Sequence, residues 1–182
     1  MKRLQKAVVF AELANKLAEH GSWCGETHMQ KAVYLLQGLT KQDLGYDYIL
    51  YKHGPFSFDL ADDLTGFRAD GIFKLRPRPE PYGPTLVATE AAERLRSVFK
   101  ITSDRFREPI QFVASAVGNK GVVELERLGT ALYVTLEDLS RRSVEDRAAR
   151  LHELKPHVSV TEATEAVKQI DKLREAANTC AQ

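Results

Sequence analysis

Cys24 and His28 stand four residues apart, the spacing of half a zinc site or of a thiolate beside an imidazole on one helical turn. A structural zinc takes four ligands, and no second Cys or His pair follows at a compatible spacing. A thiolate–imidazole dyad needs an acid to orient it, and none is signalled nearby. Asp62 and Asp63 are adjacent, so on a helix their carboxylates point about 100° apart and a shared acid–base site would need a partner from elsewhere. His20, His152 and His157 fall near helix ends, where a histidine commonly meets free carbonyls. Gly118-Asn119-Lys120-Gly121 lacks the length and the Lys-Ser/Thr ending of a phosphate-binding loop. The expectation is a protein that is not an enzyme, with no metal and no cofactor.

The elements that would position these residues centre on the stretch 27–71. Thr27 as N-cap with Gln30 three residues on reads as a capping box, followed by an apolar stripe of Met29, Val33, Leu35 and Leu36. Residues 45–51 alternate in part and carry three tyrosines, which suits a short strand entering the turn His53-Gly54-Pro55. A second helix starts with Ser57 as N-cap and Asp59 in its first turn, buries Phe58, Leu60, Ala61, Leu64 and Phe67 or Arg68, and stops at Gly71. Before this stretch, 2–20 is an amphipathic helix ended by Gly21, and Trp23 reads as a plug between helices. After it, 72–76 and 85–88 are strands joined by a tip whose prolines 77, 79, 81 and 84 cannot continue a ladder. Thr89 opens a further helix.

The order helix, helix, strand, helix, two-stranded wing, helix is that of a winged-helix domain over residues 1–99. Beyond it, helices over 104–117, 121–136, 144–154 and 161–177 make residues 100–182 a helical extension or bundle. The expected fold class is mainly α with a small β hairpin. Residues 100–182 carry 13 charges of each sign, the pattern of solvated helix faces.

The 182 residues hold 26 Lys and Arg against 25 Asp and Glu, so no global field steers the chain toward nucleic acid or an anionic membrane. An apolar content of 43% is that of a packed protein. No apolar run approaches the roughly 20 residues that span a bilayer, and the N-terminal helix is interrupted by Glu12 and Asn15 in a way a signal segment is not. With Cys24 and Cys180 as the only cysteines, a reducing, cytoplasmic setting is expected.

A winged helix suggests DNA, yet its reading helix here would carry Asp59, Asp62, Asp63 and Asp70 against Arg68 alone. Carboxylates at that place are repelled by phosphates. Nucleic acid is therefore the second expectation, through Lys74, Arg76 and Arg78 of the wing and Arg141, Arg142, Arg147 and Arg150.

Met29-Gln30-Lys31 with Tyr34, then His53-Gly54-Pro55-Phe56-Ser57, then an acidic helix and a Pro-rich tip, together resemble the SocA-like antitoxin (Panacea) family and its YwgA-like relatives. There the pattern is Gln-Lys-x-x-Tyr followed by a Tyr-Gly-Pro turn; His53 stands where Tyr or Trp is more usual. The likeness covers about residues 25–90, and Glu153-Leu154-Lys155-Pro156-His157 looks more like the YwgA-like branch. The resemblance implies a non-catalytic protein that binds a partner, in many members a toxin encoded beside it, and holds it inactive or delivers it to a protease. An acidic helix suits a basic partner of that kind. The expected partner-binding residues are Asp59, Asp62, Asp63 and Arg68, with Lys31, Tyr34 and His53 near them.

Overall fold

Ala7, Val8, Val9, Phe10, Ala11, Leu13, Ala14 and Leu17 are all buried, so the first helix is enclosed on nearly every side and the others gather round it. The computed structural model describes residues 1–80, 82–137 and 143–180. In chain order it runs α1 (Arg3–Glu19), α2 (Glu26–Thr40), β1 (Ile49–Tyr51), β2 (Gly54–Phe56), α3 (Phe58–Ala69), β3 (Phe73–Arg76), β4 (Thr85–Ala88) and α4 (Glu90–Val98). It continues with α5 (Lys100–Val117), α6 (Val122–Leu136), α7 (Val144–Leu154) and α8 (Val160–Cys180). The chain is thus mainly α with two small antiparallel hairpins. No helix among the described residues is long and apolar enough to cross a membrane.

α1 lies along α5, α2 packs on α5, α6 and α8, and α7 pairs with α8. Residue 99 falls at the junction of α4 and α5, and one apolar core continues across it, from Phe10 and Leu35 to Phe106, Leu132 and Ile170. Phe10 meets Phe67 edge-on at 5.7 Å between ring centres, tying α3 to the central helix. Ser57, Thr89 and Ser143 cap α3, α4 and α7 through their hydroxyls, and Ser159 with Glu162 does the same for α8.

Several local expectations are corrected. α2 starts at Glu26 with Gly25 as a cap that offers no side chain, so neither Thr27 nor Gln30 makes a capping box. Gln30 is used elsewhere, as described below. The strand expected over 45–51 is only Ile49–Tyr51, because Gln37 takes the polar groups of the preceding loop: its amide accepts from Leu44 N and Tyr46 N and donates to Tyr46 O. Gly54-Pro55-Phe56 is more than a turn, since it pairs back on β1 in the register Ile49↔Phe56, Leu50↔Pro55 and Tyr51↔Gly54. The wing forms as read, with Phe73↔Ala88 to Arg76↔Thr85, but β1 does not join it; the two hairpins are separate sheets. Phe58, expected in the buried face of α3, points outward and is 58% exposed.

Candidate functional site

Two halves of the sequence pattern, Gln30-Lys31 on α2 and Gly54-Pro55-Phe56-Ser57 in and after β2, turn out to hold each other. Gln30 Oε1 accepts from Ser57 N at 3.0 Å and its Nε2 donates to Ser57 O at 2.8 Å. Lys31 Nζ donates to Pro55 O at 2.7 Å. From the other side of the hairpin, Lys155 at the end of α7 donates to Tyr51 O and Lys52 O at 2.8 and 2.6 Å. Gly54 sits at φ +84, and a Cβ there would stand 3.3 Å from Thr130 Oγ1 and 3.4 Å from Glu126 O, so the hairpin lies flat on α6 only because that residue is glycine. Three helices thereby fix one hairpin of six paired residues.

Glu126 on α6 is the acid of this junction. Its Oε1 lies 3.2 Å from Lys155 Nζ and 3.5 Å from His157 Nε2, and its Oε2 lies 3.8 Å from His53 Nδ1. The Lys155 contact is an ion pair rather than an aligned hydrogen bond, leaving Oε1 without a hydrogen-bond donor among the described residues. Lys31 and Lys155 are 2% and 6% exposed. Loss of hydration on burial drives the Lys31 ammonium down to about 8; Glu126 opposes that fall and Lys155 adds to it.

Outside this junction the hairpin carries an aromatic cluster. Phe56 and Phe58 meet at 5.1 Å between ring centres, with Tyr51 5.8 Å from the first and 6.1 Å from the second. Ile49, Tyr51 and Phe58 are each at least half exposed. Asp59 and Asp62 are exposed on the adjoining turns of α3. Beside the cluster a cavity of about 260 Å³ opens between the start of α2 and the hairpin, with Lys31 in its wall and His53 at its edge.

The seven expected partner-binding residues therefore separate. Asp59 and Asp62 are exposed on α3; Asp62 stands one turn after Phe58, and Asp59, one turn before Asp63, also acts on the Tyr46 phenol. Asp63 accepts from Tyr46 Oη at 2.6 Å and faces Arg3 and Lys6, each at 3.8 Å, so it serves the edge of the core. Arg68 donates to Thr65 Oγ1 and lines a different cavity, next to the wing. Tyr34 is 7% exposed against Tyr48, and burial pushes its phenol up. Lys31 is buried and His53 exposed, and both border the cavity. The sequence reading missed Glu126, Lys155 and the outward aromatic cluster. Glu126 looked like one more charge on a solvated helix, and Lys155 stood in the connection after the helix over 144–154 with no partner signalled; only the Phe56-Ser57-Phe58 alternation hinted that two rings share a side.

Neither a protein-family model nor a curated protein matches this chain.

The other chemical candidates are occupied. Cys24 is 1% exposed and burial pushes its thiol up to about 12, which disfavours the thiolate a dyad with His28 requires. His28 packs under Trp23 at 4.3 Å and places Nε2 3.3 Å from Lys120 O; burial, more than the nearby Arg78 charge, holds the ring neutral. Among the described residues no three His, Cys, Asp or Glu converge as metal ligands. Arg147 makes a two-point contact with Asp171, 2.7 Å on each side, and Arg150 pairs with Glu153 and Glu137, so neither offers a free cation to phosphate. Arg141 and Arg142 lie outside the described residues. Arg78 rests on the rings of Trp23 and Tyr82 at 4.9 Å each, while Lys74 and Arg76 are exposed.

Proposed function

We propose that this chain is a non-catalytic protein-binding module of the cytoplasm that grips a basic partner through Tyr51, Phe56, Phe58, Asp59 and Asp62. The observation that carries this reading is an exposed aromatic cluster beside two carboxylates, on elements held rigidly from behind. Of the four aspartates 59, 62, 63 and 70, Asp63 and Asp70 are the ones engaged by cations, namely Arg3 and Lys6; Asp59 and Asp62 are exposed. Aromatic rings supply most of the binding energy at interface centres, and carboxylates around them set the sign of the partner. The resemblance to SocA-like antitoxins supplies the form of the partner: a toxin, held inactive or passed to a protease. Binding of duplex nucleic acid has less support, because Asp59 and Asp62 would meet the phosphates first.

Affinity capture from native extract tests it. The tagged chain should retain a basic protein, and a Phe58→Ser, Asp59→Asn, Asp62→Asn variant should retain at least roughly tenfold less, because all three side chains are outside the core. Equal retention by the variant, or recovery of chaperones alone, rejects the proposal.

A further inference from the structure

The cavity beside the hairpin has a chemistry of its own, and the inference from it does not rest on protein docking. Lys31 forms part of its wall, yet the ammonium uses one of its three protons, on Pro55 O. Its neighbour Gln30 has nothing left to offer, since both ends of the amide are bound to Ser57. Glu126 would be the natural counter-ion, but it is engaged by Lys155, with His157 and His53 on its remaining sides, and it lies beyond ion-pair distance of Lys31. Two buried lysines thus share one buried carboxylate, which leaves one positive charge uncompensated when both are protonated.

An uncompensated buried cation beside open space is what a bound anion would complete. The rest of the lining narrows the choice. Tyr51 and Phe56 present aromatic walls, and the backbone of Gly54 completes the lining between them. Thr27 adds a hydroxyl on the same helical face as Lys31, one turn earlier. At the mouth, exposed Glu26 disfavours a second negative charge and suits a neutral or cationic end directed outward. A volume of about 260 Å³ holds a ring or a short aliphatic group and little more.

We propose that this cavity binds a single carboxylate carried on a small aromatic or apolar group, with the carboxylate on Lys31 Nζ, the group between Tyr51 and Phe56, and any amine toward Glu26. Such a carboxylate has two sources, a free small acid or the C-terminus of a peptide, and both present the same atoms.

The test uses the full chain, labelled with ¹⁵N, and three pairs of measurements read from amide shifts at Gly54, His53 and Lys31. The first pair compares phenylacetate with phenylacetamide, which differ in charge and little in shape. The second compares a short peptide ending in phenylalanine with a free carboxylate and the same peptide amidated. Saturable binding by either acid, at least tenfold tighter than by its amide, is expected; the acid that binds identifies the source. The third pair repeats the better acid at pH 7 and pH 9.5. An ammonium that has lost its proton cannot hold a carboxylate, so affinity should fall by roughly tenfold for each pH unit above about 8. Lys31→Met should abolish the shifts; if that variant fails to fold, the pH pair on the wild-type chain decides. Equal binding of acid and amide, pH-independent binding, or no saturable shift at these residues overturns the proposal.

Discussion

The two hairpins are built alike and held differently. Each is a two-stranded antiparallel ribbon, three residues a side in β1–β2 and four in β3–β4, and such a ribbon is marginal alone in water. The wing rests on apolar side chains: Phe73 and Leu86 are 2% and 4% exposed, and its strand β4 gives Leu86 N to Cys24 O. The first hairpin buries only Gly54 and Pro55 closely, and is gripped by the side chains of Gln30, Lys31 and Lys155 at its backbone. Apolar seating is non-directional and tolerates small shifts, whereas hydrogen bonds from buried side chains fix a position and leave an unpaired group when one is removed. The difference teaches where precision is placed: the hydrogen bonds from buried side chains lie beneath the aromatic cluster and the cavity, while the wing has one backbone bond to Cys24 and apolar seating.

Removing a directional anchor should therefore cost most. Gln30→Ala strands Ser57 N inside the protein; Ser57 O keeps its second donor, Ala61 N at 3.2 Å. One orphaned buried amide, one lost bond and the space left by the side chain sum to about 3 kcal/mol. The urea midpoint of unfolding measures it. A loss below about 1 kcal/mol would mean that the hairpin is seated as loosely as the wing.

The second effect is a dependence on pH that the wing lacks. Free lysine titrates near 10.4, and Lys31 in the folded chain at about 8. Between these values the unfolded chain still holds a proton that the folded chain has released, so raising the pH favours folding. The gain is up to about 1.4 kcal/mol per unit, and it is flat below pH 8 where both states are protonated. Glu126 and Lys155 are the charged groups whose fields enter that value, the first raising it and the second lowering it. Cys24, whose thiol burial pushes up to about 12, acts in the opposite sense from about pH 8.5, and Tyr34, Tyr46 and Tyr48, pushed up by burial, do so above about pH 10. Because Cys24 is common to both chains, the Lys31 contribution is read as a difference: the midpoint of the native sequence minus that of Lys31→Met should grow from pH 8 to 9 to 10, while Lys31→Met alone should fall.

Much of the fold could be read from periodicity and caps. Ser57, Thr89, Gly71 and the wing strands were placed correctly because a cap or a turn glycine acts within a few residues of itself. The site was less legible, for a matching reason. Gln30 reaches Ser57 across 27 positions and Lys155 reaches Tyr51 across 104, and no local pattern marks a polar side chain whose partner is that far along the chain. A glutamine three residues after a threonine satisfied a local rule, and the rule lost to a buried backbone group with a stronger claim on it. The acidic helix was read as one face, but four carboxylates spread around 12 residues cannot all face one way, and Asp63 went to Tyr46.

The smallest expected effect is on the wing. Lys74 and Arg76 stand on the exposed side of β3, and neither holds the hairpin to the helices. Replacing both by glutamine should change stability by less than about 0.5 kcal/mol and leave capture of the basic partner unchanged, since surface charges away from caps and buried pairs contribute little. The same variant also separates the two ligand classes. If the wing touched phosphate, the native chain would be retained on heparin at low salt, and the variant's binding would lose about two units of slope against log salt concentration. With Asp59 and Asp62 exposed on α3, the helix that carries Phe58 of the aromatic cluster, retention should instead be weak and indifferent to Lys74 and Arg76. A steep salt dependence abolished by the double substitution would move the functional face from the first hairpin to the second.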